Sequence, residues 1–191
     1  DDGVIDNMVK FMEENPKCGI SSCKIIGFNE RLQPNAGELP VGIALLNWLF
    51  NLEPFGFKSS FHINSPKYYE NIHEVGWVSG NFMVISDEAL KKVKGFSEDY
   101  FMYFEDVELC FRSKRQGFKV MINPKVSITH LSGGSLDDPK FRQWIGEYKG
   151  LVLFYKQHFG NLTSLFIKVL CYFSIILRIF VFLILGKPNY S

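Results

Sequence analysis

A chain of 191 residues with an ordinary apolar share is long enough to bury one core, and 21 basic against 20 acidic residues leave a formal charge of only +1. Such a balance carries no basic stripe to track a phosphate backbone, which excludes a nucleic-acid partner. The four cysteines, Cys18, Cys23, Cys110 and Cys171, show neither Cys-x-x-Cys pairing nor zinc-ligand spacing, so they read as free thiols in a reducing compartment.

The sequence opens on Asp1-Asp2-Gly3 with no initiator Met, as though cut from a longer protein. Apolar residues at Val4, Ile5, Met8, Val9, Phe11 and Met12 predict a helix to Glu14, stopped by Asn15-Pro16, with Asp2 just ahead of it. Residues 18–26 read as a strand, Gly27 and Asn29 as a turn, and 31–33 as a short return. Residues 41–57, rich in Leu, Trp and Phe, are too few to cross a bilayer; they suit core, or a segment dipped into a headgroup layer. Residues 59–74 read as an irregular polar connection. Residues 74–85 then read as a loop entering a buried strand, where Gly76 and Gly80 admit close backbone approach. Trp77 between them is either a flat surface for a sugar ring or plain core. Ser86 starts a helix with Asp87 and Glu88 in its first turn.

Residues 100–117 are the centre of the chain. An aromatic cluster (Tyr100, Phe101, Tyr103, Phe104) delivers Glu105 and Asp106 to the start of a helix that carries Val107, Cys110 and Phe111 on one face and closes at Gly117. In one reading Asp106 is an N-cap, and Glu105 and Glu108 complement the helix dipole. In the other, a carboxylate walled by rings is partly desolvated and its pKa rises until it can take a proton from a hydroxyl.

Residues 118–122 predict a strand, Asn123-Pro124 a turn, and 126–129 a second strand ending on His130, before Ser132-Gly133-Gly134-Ser135. His130 is open to three roles: metal ligand, pH-sensitive group or bystander. Residues 138–160 are helical with a basic end. Residues 162–185 are almost entirely apolar and long enough to cross a bilayer. Arg178 within that run costs at least about 2.5 kcal/mol on insertion scales, so it needs a partner or an in-plane orientation, whereas Lys168 can snorkel. A membrane-attached helix, spanning or interfacial, is the expectation, with Lys149, Lys156 and Lys187 suiting an anionic cytoplasmic leaflet.

Four features in series, Asp1-Asp2, the Gly-Trp-Val-Ser-Gly loop, the Phe-Glu-Asp-Val-Glu-Leu-Cys-Phe-Arg helix start, and the strand ending at His130, resemble the family 2 glycosyltransferases of the rhamnosyl- and galactofuranosyl-transferase type. The resemblance implies a partial GT-A fold: an α/β mixed sheet over residues 1–160, the acceptor half of the domain, followed by a membrane-associated helix over 161–187. It implies an inverting transfer from a nucleotide-sugar donor to a glycan or lipid-linked acceptor at the cytoplasmic face of the membrane, in cell-surface polysaccharide synthesis. By the same resemblance Asp106 matches the general base, and Glu105 contacts the acceptor or buttresses Asp106. Trp77 and Gly80 match the acceptor loop, and Asp2 and His130 the ligands of a divalent ion. Oxygen from Asp2 and nitrogen from His130 suit Mn²⁺ or Mg²⁺ offsetting charge on a leaving diphosphate. The nucleotide-base pocket of that family precedes its Asp-x-Asp motif, so these residues alone are expected to be inactive. The rival reading is a noncatalytic membrane-associated module that binds a glycan or lipid. A metal-dependent hydrolase has too few ligands here.

Overall fold

The computed structural model describes residues 3–130 and 139–185. The first helix, α1 (Val4–Glu14), follows the predicted period and buries Met8 and Phe11. They pack with Cys18 and Cys23 against Met121, Val126 and Ile128 on one face of the sheet.

The sheet is built around β1 (Cys18–Ile26). Along one edge β1 pairs in parallel with β7 (Lys119–Thr129), and β7 pairs antiparallel with β4 (His73–Glu74). Along its other edge β1 takes two short antiparallel partners, β6 (Val84–Ile85) beside Ile20 and Ser21, and β2 (Leu32–Gln33) beside Ile25 and Ile26. Mixed pairing and flanking helices make this a mixed α/β sheet, compatible with the expected GT-A fold.

The structure corrects the expectation of two strands separated by a turn at Asn123-Pro124. One strand runs through, and the register jumps from Cys23 opposite Asn123 to Lys24 opposite Ser127. The residues between bulge out of the ladder, so Pro124 is asked for no N–H, and Asn123 Oδ1 accepts from the Lys125 amide at 3.2 Å.

A second, two-stranded sheet pairs β3 (Ala36–Gly37) with β5 (Trp77–Val78). It requires glycine at two places: a Cβ on Gly37 would strike the Phe61 carbonyl, and one on Gly76 the backbone of Glu38 and Leu39. Around the sheets pack α2 (Gly42–Phe50), α3 (Asp87–Val93) and α4 (Glu105–Arg115), then the long α5 (Pro139–Phe159) and α6 (Asn161–Leu185). Ser86 caps α3, its Oγ accepting from the Ala89 amide at 3.2 Å. Gly160, with φ of 92°, breaks α5 from α6. The expected strand and helix of residues 18–26 and 4–14 stand as read, and all four cysteines are free and buried.

Candidate active site

The acid pair is aimed by an unusual turn. Tyr103 (φ 67°) and Phe104 (φ 83°) are consecutive non-glycine residues in the left-handed region, a conformation that costs on the order of 1–3 kcal/mol each. Two glycines one helical turn apart on α5 receive them: a Cβ on Gly146 would collide with the Tyr103 ring, and one on Gly150 with Phe104 Cβ. Phe104 is buried, with Phe61 at 5.4 Å and Phe154 at 5.8 Å between ring centroids. Phe104 also takes the cap position of α4, so Asp106 lies inside the first helical turn rather than at the N-cap.

From there Asp106 reaches the Gly-Trp-Val-Ser-Gly loop. Its Oδ2 accepts from the Gly80 amide at 3.0 Å and its Oδ1 from the Val107 amide at 2.8 Å. Burial, reinforced by the neighbouring Glu105 charge, pushes its carboxyl up to about 6, against the opposing pull of those two N–H groups. Burial also raises Glu105, whose Oε2 has no partner among the described residues. A Cβ on Gly80 would find ordinary room, 3.9 Å from Asp106 Cβ, so what Gly80 contributes is its amide.

The loop itself is pinned from below. The Ser79 amide donates to the Asn35 carbonyl at 2.8 Å, and Ser22 Oγ donates to the Phe82 carbonyl at 2.7 Å. Buried Asn35 holds both sides, its Nδ2 reaching Ser22 Oγ and the Cys23 carbonyl at 2.9 Å each, while Tyr69 Oη accepts from the Asn35 and Ala36 amides. Sequence reasoning missed Asn35 and Tyr69; a lone polar Asn ahead of Ala36-Gly37 was the only available signal.

Of the two readings of Trp77, flat surface or core, the structure shows the ring packed in the core. Its side chain is 5% exposed, its Nε1 donates to the Phe61 carbonyl at 2.8 Å, and Phe61 and His62 lie 5.1 and 5.4 Å from its ring. Half-buried rings stand elsewhere: Trp48 stacks on Tyr148 at 5.5 Å and 26° and meets Phe61 at 4.6 Å. Beside them His62 Nε2 pairs with Glu147 Oε1 at 3.1 Å, and Gln143 donates to the same oxygen at 2.8 Å. Glu147 and Glu105 both act on Tyr103, whose hydroxyl is raised by burial and by these two charges. This cluster, which the sequence reading did not single out, reaches the residue ahead of the acid pair through Phe61, 4.3 Å from His62 and 5.4 Å from Phe104 between ring centroids.

Glu108 has a different task. It is 2% exposed and bound by Arg112 Nε at 2.7 Å, Arg112 Nη2 at 2.8 Å and His158 Nε2 at 3.1 Å. Arg112 goes on to the carbonyls of Val93 and Gly95, tying α3, α4 and α5 together. A cleft of about 360 Å³ lined by these groups includes neither Glu105 nor Asp106.

A family model described as glycosyl transferase family group 2 matches residues 4–190. The chain belongs to this family. An N-acetylglucosaminyl-diphospho-decaprenol L-rhamnosyltransferase of Mycobacterium tuberculosis is 39% identical over 56 residues, which is 29% of this chain and 18% of that protein. The rhamnosyltransferase WbbL of Escherichia coli is 36% identical over 56 residues, 29% of this chain and 21% of its own length. The low-salt glycan biosynthesis hexosyltransferase Agl10 of Haloferax volcanii is 30% identical over 50 residues, 26% of this chain and 16% of its own. The matched stretch thus spans about a fifth of these relatives' lengths.

The metal ligands expected from sequence are Asp2 and His130. Asp2 lies outside the described residues, as do Ser132-Gly133-Gly134-Ser135. His130 is clamped to β2: its Nδ1 faces Gln33 Oε1 at 3.0 Å, and Gln33 Nε2 donates to the His130 carbonyl at 2.9 Å. Donation from Nδ1 leaves Nε2 as the ring's lone-pair nitrogen, the arrangement that suits a metal ligand. Among the described residues no hydrogen bond joins His130 to Asp106, and no group of three or more His, Cys, Asp or Glu is gathered to hold an ion. Of the two expected ligands, His130 is thus the one whose placement the described residues give.

Proposed function

We propose that the protein carrying this chain is an inverting GT-A glycosyltransferase. It moves a sugar from a nucleotide-sugar donor to a glycan or lipid-linked acceptor, with Asp106 as general base. The observation that carries the reading is Asp106 itself: a carboxylate fixed by the Gly80 and Val107 amides, beside a second acid, its carboxyl pushed up to about 6 by burial, in a family that transfers sugars. A base at that pKa is largely ionised at about pH 7 and still basic enough to take a hydroxyl proton as bonding develops. The acceptor oxygen bonds to the anomeric carbon while its proton passes to Asp106, and the bond to the donor diphosphate breaks on the opposite face.

Glu105, with an unpaired buried oxygen, is placed to accept from an acceptor hydroxyl and set its angle to Asp106. Gly80 orients the base, and Trp77 backs the loop from the core side. A Mn²⁺ or Mg²⁺ ion held by His130 and Asp2 would offset the charge gathering on the leaving diphosphate. The lipid-linked acceptor class is suggested by the decaprenol-linked name of the mycobacterial relative.

The test is transfer by the full-length polypeptide with Asp106→Asn. Turnover should fall by about 10² to 10⁴, the contribution of a positioned base. Wild-type turnover in that variant would remove Asp106 from the mechanism.

A further inference from the structure

The polarity of α6 is reversed. Its inward stripe is Ser164, Ile167, Cys171, Ser174 and Arg178, and the polar groups there are satisfied. Ser164 Oγ donates to the Val152 carbonyl at 2.8 Å, Ser174 Oγ to the Cys171 carbonyl at 2.8 Å, and Arg178 to the carbonyls of Trp48 and Leu49 at the end of α2. The Arg178 guanidinium also lies over the Trp144 ring, 5.3 Å from its centroid. Outward stand large apolar side chains, among them Leu162 (84% exposed), Phe166, Val169, Phe173, Ile176 and Phe180. A helix bathed in water shows the opposite arrangement. The apolar surface also covers about half the circumference, wider than the narrow seam that a single helix partner takes, and a bilayer would wet all of it.

The docking fixes orientation as well as preference. Through Arg178, α6 lies along α5 and α2, so its docked length belongs to the domain surface. Beyond Arg178 the described helix runs from residue 179 to 185, about 10 Å against the roughly 30 Å of a hydrocarbon core. The sequence then turns to Gly186-Lys187-Pro188, which ends the apolar run. Lys168 is exposed on α6 beside the apolar face, and Lys149 and Lys156 are exposed on α5. These cations complement anionic headgroups.

We propose that α6 lies in the plane of an anionic bilayer, its outward face in the acyl boundary and its inward stripe on the domain, without crossing. This does not rest on sugar transfer, and its test reads none. The 191-residue chain is floated with mixed phosphatidylcholine and phosphatidylglycerol vesicles, where it should rise with the lipid. Phe166→Glu with Phe180→Glu should abolish flotation while leaving thermal melting unchanged, since both side chains are already exposed. Lys168→Glu should weaken binding several-fold on the anionic vesicles and leave binding to pure phosphatidylcholine unaltered.

Depth decides between lying and crossing. Leu162→Cys, Val169→Cys and Phe180→Cys, labelled with an environment-sensitive fluorophore, sit on one outward line about 27 Å long. Quenching by lipids carrying nitroxides at set depths should give the same shallow position for all three. A graded depth through the bilayer centre would overturn the in-plane arrangement. Failure to float would overturn membrane docking, and self-association abolished by the Glu substitutions would assign the face to a second copy of the chain.

Discussion

The Asp106→Asn variant should be more stable than the wild type at neutral pH and less stable in acid. Folding lifts the Asp106 carboxyl from 3.8 to about 6. A raised carboxylate pKa means that the folded state binds the proton more tightly, so holding the ionised form costs stability. The cost is absent below the unfolded value near 3.8, grows as pH rises, and is complete above about 6. It amounts to about 3 kcal/mol at a little over 1.3 kcal/mol per pH unit. Asparagine keeps the shape and carries no charge. With one carbonyl oxygen, however, it can serve only one of the Gly80 and Val107 amides, a loss of about 1 kcal/mol.

The net expectation for that variant is a gain of about 2 kcal/mol above pH 7 and a deficit of about 1 kcal/mol near pH 3. For a domain of this size the neutral-pH gain raises the melting temperature by roughly 4–8 °C. Melting curves across that pH range give the measurement, alongside transfer rates by the full-length polypeptide. Wild-type rate should climb about tenfold per pH unit below about 6 and level off above, and the variant should lack that limb. An equal loss of stability at both ends of the pH range would refute the claim that Asp106 is held as a desolvated acid.

Other substitutions probe the supports of the site. Gly150→Ala puts a methyl into Phe104 Cβ, and overpacking of about 1–3 kcal/mol should outweigh the roughly 1 kcal/mol of helix propensity gained. Chemical denaturation should show the loss, and turnover should fall as Asp106 shifts. Arg112→Met strands the carboxylate of Glu108 with only His158, and urea unfolding should record a loss of about 3–5 kcal/mol. Gln33→Leu frees the His130 ring, and calorimetric titration of the full-length polypeptide with Mn²⁺ should find affinity reduced about 10- to 100-fold. An affinity untouched by that change would remove His130 from the ligand set.

What the sequence made legible was whatever is decided within one helical turn or one strand. The period of α1, the Ser86 cap and the run of β1 each follow from neighbouring residues. The continuous β7 was hidden because Pro124 carries the same signature in a bulge as in a turn. The left-handed Tyr103-Phe104 pair was unreadable for a stronger reason. No local feature of two aromatic residues asks for positive φ, and the glycine pair on α5 that makes room for it lies far along the chain. Trp77 looked equally suited to a ligand and to the core until the Phe61 carbonyl took its N–H. His62 and Glu147, 85 positions apart, offered no motif at all.

The same long-range logic joins the acid pair to the helix at the chain's far end. Between them stands α5, whose Gly146 and Gly150 seat the strained turn ahead of Glu105, and whose Tyr148 and Val152 meet Ser174 and Ser164 of α6. Arg178 then locks α6 to the carbonyls of α2, and α2 places Trp48 against Tyr148. With α6 in the plane of the bilayer, these contacts leave the acid pair little freedom to tilt, so its height above the lipid is set by side-chain packing rather than by a tether. A lipid-linked acceptor would then meet Asp106 at a fixed distance from its headgroup plane. Releasing that lock with Arg178→Leu should lower turnover on a membrane-borne acceptor while sparing a water-soluble analogue, and equal loss on both would show that Arg178 supports only the fold.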